Sequence, residues 1–126
     1  MKVFIVEDSP AVLERLQDVV REAPHVELVG DAATYEAAVA GIIATHPDVS
    51  ILDIKLGDDA GTGIDVLGRV KRDVPRMRSI VLSNYVTPQH AKASTDAGAD
   101  YFLDKSSDTD RIPDILNEMR SRLAAE

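Results

Sequence analysis

The sequence predicts an α/β fold: a doubly wound, five-stranded parallel sheet with five helices, in a three-layer sandwich. Three observations predict it. Short apolar runs rich in β-branched residues recur at 3–6, 26–29, 49–52, 80–82 and, more weakly, 101–103. None shows the alternation of a half-exposed strand, so both faces of each are expected to be buried. Longer amphipathic stretches separate them, the rhythm of β-α units joined by right-handed crossovers. Finally, 126 residues of which 44% are hydrophobic suit one domain with a single core, and no linker, repeat or composition shift divides them.

Each helix carries its own start or stop signal. Ser9 is a good N-cap and Pro10 fits the first helical position, with Val12, Leu13, Leu16, Val19 and Val20 at helical spacing and Pro24 closing the segment. Thr34 caps a second helix, apolar at Ala38, Val39, Ile42 and Ile43 and ended by Pro47, although Gly41 inside it costs about 1 kcal/mol relative to Ala. Thr62 and Asp65 form the pattern of a capping box for a third, carrying Ile64, Leu67 and Val70. Thr87 and Pro88 open the fourth, which is filled with small residues and closed by Gly98 in a left-handed C-cap. Ile112, Ile115, Leu116, Met119 and Leu123 give the fifth its apolar stripe.

Composition excludes several classes of function. Fourteen Lys plus Arg against 22 Asp plus Glu give a formal net charge of −8, which disfavours a general electrostatic grip on nucleic acid or anionic lipid. Neither a direct nucleic-acid partner nor a membrane is expected. The absence of cysteine removes disulfides, thiolate metal sites and a Cys nucleophile, and suits a reducing, cytoplasmic setting. No apolar run is long enough to cross a bilayer, and the first residues lack the pattern of a signal peptide.

In an open parallel sheet, ligands bind at the carboxyl ends of the strands. Here the first strand ends in Glu7 and Asp8, the third in Asp53, the fourth in Ser83 and Asn84, and the fifth in Asp104 and Lys105. Any one of these alone reads as a turn former, a cap or a surface charge. Their joint occurrence on one rim reads differently. Glu7, Asp8 and Asp53 repel one another unless a cation joins them, and oxygen ligands without His or Cys call for a hard divalent ion, Mg²⁺ or Mn²⁺. With a nearby hydroxyl and ammonium, the set supplies what phosphoryl transfer to a carboxylate requires. The three histidines, His25, His46 and His90, share no ligand spacing and are expected on loops or the surface.

The ordered set Val-Glu-Asp-Ser-Pro at 6–10, Ile-Leu-Asp-Ile at 51–54, Val-Leu-Ser at 81–83, Ala-Gly-Ala-Asp-Tyr-Phe at 97–102 and Asp-Lys at 104–105 resembles the receiver domain of two-component response regulators, over nearly the whole chain. The resemblance implies the flavodoxin-like strand order 2-1-3-4-5. It implies that Asp53 is the phosphoacceptor, taking its phosphoryl group from a sensor histidine kinase, a phosphotransfer protein or a small acyl phosphate. Asp8, Asp53 and the backbone carbonyl of Ile54 correspond to the Mg²⁺ ligands, and Glu7 to an acidic partner acting through water. Lys105 corresponds to the lysine that pairs with the phosphoryl group, Ser83 to the switch hydroxyl and Phe102 to the switch aromatic. The expected readout is a protein surface of the fourth helix, fifth strand and fifth helix, which contacts a downstream target and in this family also serves homodimers. Residues 1–126 are then a receiver without an output domain.

Several positions depart from the family pattern. The segment 55–63 is about two residues longer than usual, lacks the customary proline and holds three glycines. It is expected to be mobile, with Asp58 and Asp59 a solvated acidic turn in preference to a second metal site. Lys55 and Tyr85 stand two residues beyond Asp53 and Ser83, where the family tunes loss of phosphate, and a bulky Tyr85 is expected to screen the attacking water. Ser106 replaces the usual proline after Lys105, so Ser106 or Ser107 is expected to cap the fifth helix. Two other classes compete with the receiver reading. Retention of every charged and hydroxyl member of the site argues against a phosphorylation-independent scaffold. Lys55, where aspartate-nucleophile phosphatases place a second Asp, argues against such an enzyme.

Overall fold

A computed structural model describes residues 1–56 and 61–125. Five strands alternate with five helices: β1 (Lys2–Val6), α1 (Pro10–Arg21), β2 (Glu27–Ala32), α2 (Tyr35–Thr45), β3 (Val49–Asp53), α3 (Gly63–Val70), β4 (Arg78–Ser83), α4 (Pro88–Asp96), β5 (Tyr101–Asp104) and α5 (Ile112–Ala125), the last preceded by a 3₁₀ turn at Thr109–Arg111. All strand pairs are parallel and the order is β2-β1-β3-β4-β5. The expected order is therefore the observed one. Residues 57–60, which include Asp58 and Asp59, lie outside the described residues.

Strand side chains alternate between faces, and the core divides accordingly. Val3, Ile5, Val49, Ile51, Ile80 and Leu82 pack with Leu16 and Val20 of α1 and Ile112, Leu116 and Met119 of α5. Phe4, Val6, Leu52 and Val81 face the other way, onto Ala38 and Ile42 of α2 and Val66, Leu67 and Val70 of α3. Gly41, an unfavourable helix residue, has its reason here: a Cβ on it would lie 2.6 Å from the Phe4 ring, and one on Gly30 of β2 would lie 2.8 Å from it. Two absent side chains make room for one large one.

The local signals operate as read. The hydroxyls of Ser9, Thr34 and Thr87 accept the backbone N–H of Val12, Ala37 and His90, and Thr62 and Asp65 cap each other reciprocally. Gly98 after α4 has φ 101°. Two expectations need correction. β2 and β5 are only partly buried, because each is an edge strand with a neighbour on one side alone. Neither Ser106 nor Ser107 caps α5. Ser106 instead donates its N–H and hydroxyl to Asp104 Oδ1 (2.8 and 2.6 Å), while Asp108 Oδ2 accepts the Asp104 N–H at 2.9 Å and leads into the 3₁₀ turn. The nearer carboxylate outcompetes the helix end for the serine's donors. No helix among the described residues is long and apolar enough to cross a membrane.

Candidate functional site

The strand order sets Asp53, the last residue of the central strand β3, between the ends of β1 and β4. β1 delivers Glu7, which is buried, and Asp8, which is exposed; Asp53 itself is 5% exposed. Carboxylate oxygens of the three lie within 4.8 Å of one another. Lys105 follows β5 and its backbone continues the pairing with β4 through Ser83 O (2.8 Å). Its side chain then reaches past β4 into the acidic cluster, with Nζ 2.8 Å from Asp53 Oδ2 and 2.5 Å from Glu7 Oε1.

The charges answer this crowding in opposite ways. Burial raises the pKa of Glu7 above the ordinary carboxylate value; the Lys105 contact pulls it down, and Asp53 adds to the rise. Burial pulls the Lys105 ammonium down, but its hydrogen bonds to Asp53 and Glu7 outweigh that and leave its pKa above the ordinary lysine value. Three carboxylates gathered around one ammonium leave the site short of positive charge. Three hard oxygen donors so placed suit a divalent cation, and the exposed Asp8 gives one a route in from solvent.

The remaining predicted residues are placed as follows. Ile54 follows Asp53 and lines the cavity beside it; its carbonyl accepts the Gly63 N–H at 2.9 Å, which leaves one lone pair. Gly63 must be glycine: a Cβ there would sit 2.0 Å from the Asp53 carbonyl oxygen. Ser83 is buried, and its hydroxyl is engaged with its own loop, donating to Tyr85 O (2.9 Å) and accepting the Tyr85 N–H (3.0 Å). Phe102, half-buried opposite Val81 on β5, packs against the α2–α3 side of the core and is not drawn into the acidic cluster. A cavity of about 280 Å³ opens beside Asp53 and is bordered by Lys55, Thr62, Ser83, Tyr85 and His90. Tyr85, 71% exposed, stands at its rim.

His90 was missed by sequence reasoning, which expected only a loop or surface residue. Its ring Nδ1 lies 3.1 Å from Tyr85 O. The available signal was its position in the first turn of a helix capped by Thr87, because helical side chains lean toward the helix N-terminus and so over the preceding loop.

Residues 3–117 match the sequence family of the response regulator receiver domain. The chain belongs to that family. Receiver domains are phosphoacceptor signalling modules of two-component systems, for which phosphoaspartate and Mg²⁺ are typical. The chain is 31% identical over 105 residues to the DNA-binding transcriptional activator DevR/DosR of Mycobacterium tuberculosis, covering 83% of this chain and 48% of that protein. It is 23% identical over 118 residues to the response regulator protein VraR of Staphylococcus aureus, covering 94% and 56%. Among solved structures, the receiver domain of the putative response regulator NarL from M. tuberculosis superposes with a TM-score of 0.84 at 26% identity, covering 96% of this chain and 97% of that one.

The chain spans about half the length of the curated relatives it matches. This corrects the expectation that nucleic acid is no partner, since DevR/DosR is by name a DNA-binding activator. A net charge of −8 describes these 126 residues alone. The acidity of a receiver carries no information about the surface of a domain joined to one.

Proposed function

We propose that this receiver accepts a phosphoryl group on Asp53 and uses it to shift the β4–α4–β5 side of the molecule. The donor is a phosphohistidine of a sensor histidine kinase or phosphotransfer protein, or a small acyl phosphate. An ionised Asp53 oxygen attacks phosphorus, the bond from phosphorus to the donor's nitrogen or oxygen breaks, and the donor leaves with the electron pair of that bond. Asp8, Asp53 and the Ile54 carbonyl would hold Mg²⁺ directly, with Glu7 acting through water. Bound there, the ion supplies positive charge to the transferring phosphoryl oxygens.

The observation that carries this reading is the position of Lys105, 2.8 Å from the Asp53 carboxylate inside the only cluster of three carboxylates among the described residues. Its flexible, compact charge can pass from that carboxylate to a phosphoryl oxygen as the new bond forms. Glu7 suits an indirect role, because one of its oxygens meets Lys105 and the other accepts the Ser9 N–H at 3.1 Å. After transfer, Ser83 leaves Tyr85 O for a phosphoryl oxygen and Phe102 turns inward behind it. The domain catalyses only the gain and loss of its own phosphoryl group, and acts in the cytoplasm.

Incubation with acetyl phosphate and Mg²⁺ followed by intact mass tests the proposal. One added phosphoryl group is expected, lost in Asp53→Asn and strongly reduced by EDTA. No adduct, or an adduct that survives Asp53→Asn, contradicts it.

A further inference from the structure

The Tyr85 carbonyl is a meeting point for three donors: the Ser83 hydroxyl at 2.9 Å, the Thr87 N–H at 3.1 Å and the His90 ring at 3.1 Å. A carbonyl only accepts, so the His90 bond requires the proton on Nδ1. The same Ser83 oxygen accepts the Tyr85 N–H. Ser83 and Tyr85 therefore hold each other through two bonds, and His90, from the first turn of α4, holds the same carbonyl. In this arrangement the hydroxyl of Ser83 faces its own loop and is unavailable to a group on Asp53.

We infer that His90 is a positioning residue, a latch that ties α4 to the β4–α4 loop and holds Ser83 in the unswitched position. The inference rests on the reading of Ser83 as the hydroxyl that moves toward the phosphoryl group. For that move the loop must turn, and the Tyr85 carbonyl must leave the His90 ring. The bond is thus made in the resting arrangement and lost in the switched one, which is the condition for it to set the balance between them. The loop itself supplies little competing restraint: Tyr85 and Val86 are the two large apolar residues left exposed in the described structure.

Two substitutions of nearly equal shape isolate the bond. In His90→Asn the amide nitrogen can occupy the place of Nδ1 and still donate; His90→Leu keeps the branched shape without a donor. His90→Leu is expected to take phosphate from acetyl phosphate about two- to tenfold faster than the parent, the range a single net hydrogen bond spans. His90→Asn is expected to stay within about twofold of the parent. Amide hydrogen exchange on the unphosphorylated protein supplies the second readout: Tyr85 and Thr87, whose N–H groups close this loop, exchange faster in His90→Leu and at the parental rate in His90→Asn. Parental rates in both variants, or equal acceleration in both, overturn the latch. If the parent takes up no phosphoryl group, the proposed function fails on its own account, and the exchange of Tyr85 and Thr87 alone then decides for or against the latch.

Discussion

α3 and α4 begin alike and are held very differently. Each is capped by a threonine whose hydroxyl accepts an N–H of the first turn, and the two helices lead into and out of the same strand, β4. α3 buries Val66, Leu67 and Val70 completely, whereas the sole buried residue of α4 is Ser94, whose hydroxyl has no hydrogen-bond partner among the described residues. At about 1.5–3 kcal/mol for each fully buried aliphatic side chain, α3 is anchored by several times what holds α4. The same kind of cap begins one well-anchored helix and one that is cheap to move. Asp53, the proposed acceptor, ends the strand that leads toward α3, whereas Ser83 ends the strand that leads into α4 and His90 lies in that helix's first turn.

Substitutions can break that contrast. Leu67→Ala is expected to lower stability by about 2–5 kcal/mol, through lost transfer energy and the cavity left behind. Gly63→Ala forces a methyl group against the Asp53 carbonyl and is expected to cost about 1–3 kcal/mol while displacing Asp53. Ser94→Ala is expected to stabilise by about 0.5–1 kcal/mol, since it removes an unpaired buried hydroxyl and favours helix. Urea unfolding of the three variants checks the order. A Ser94→Ala loss as large as that of Leu67→Ala would mean that α4 is anchored after all.

A smaller effect concerns pH. The Glu7 pKa lies above its ordinary 4.5, chiefly through burial, so the folded protein binds that proton more tightly than the unfolded chain does. In chelator-treated protein the resulting stability is full below 4.5 and declines as pH rises through the raised value. Glu7→Gln is expected to flatten this part of the profile in urea titrations between pH 4 and 7. An unchanged slope would show that Lys105 fully offsets the burial of Glu7.

Much of the fold was legible because its signals are local. Ser9, Thr34, Thr62 and Thr87 cap helices through groups only three residues away, and the carboxyl ends of β1, β3, β4 and β5 followed from apolar runs to within a residue, whereas β2 runs on to Ala32, three residues beyond its run. The carboxylates were legible because residues at strand ends share one rim in any sheet of this kind. What the sequence hid depends on competition or on distant neighbours. Ser106 had two acceptors in reach, and Asp104 won it. Gly41 made sense only once Phe4 was seen against it from another strand. The direction of the Ser83 hydroxyl and the His90 contact depend on how one loop turns, which no periodicity encodes. The exclusion of nucleic acid was lost for a different reason: a charge of −8 belongs to these 126 residues and not to the whole proteins in which such domains occur.

The contrast between the two helices is tested most directly by amide hydrogen exchange, followed by mass spectrometry, with and without acetyl phosphate and Mg²⁺. Once the intact mass shows Asp53 loaded, altered protection is expected from residue 83 through α4 to residue 105, with α2 and α3 close to unchanged. A change of equal size in α3, or none in α4 on the fully phosphorylated protein, would contradict the account.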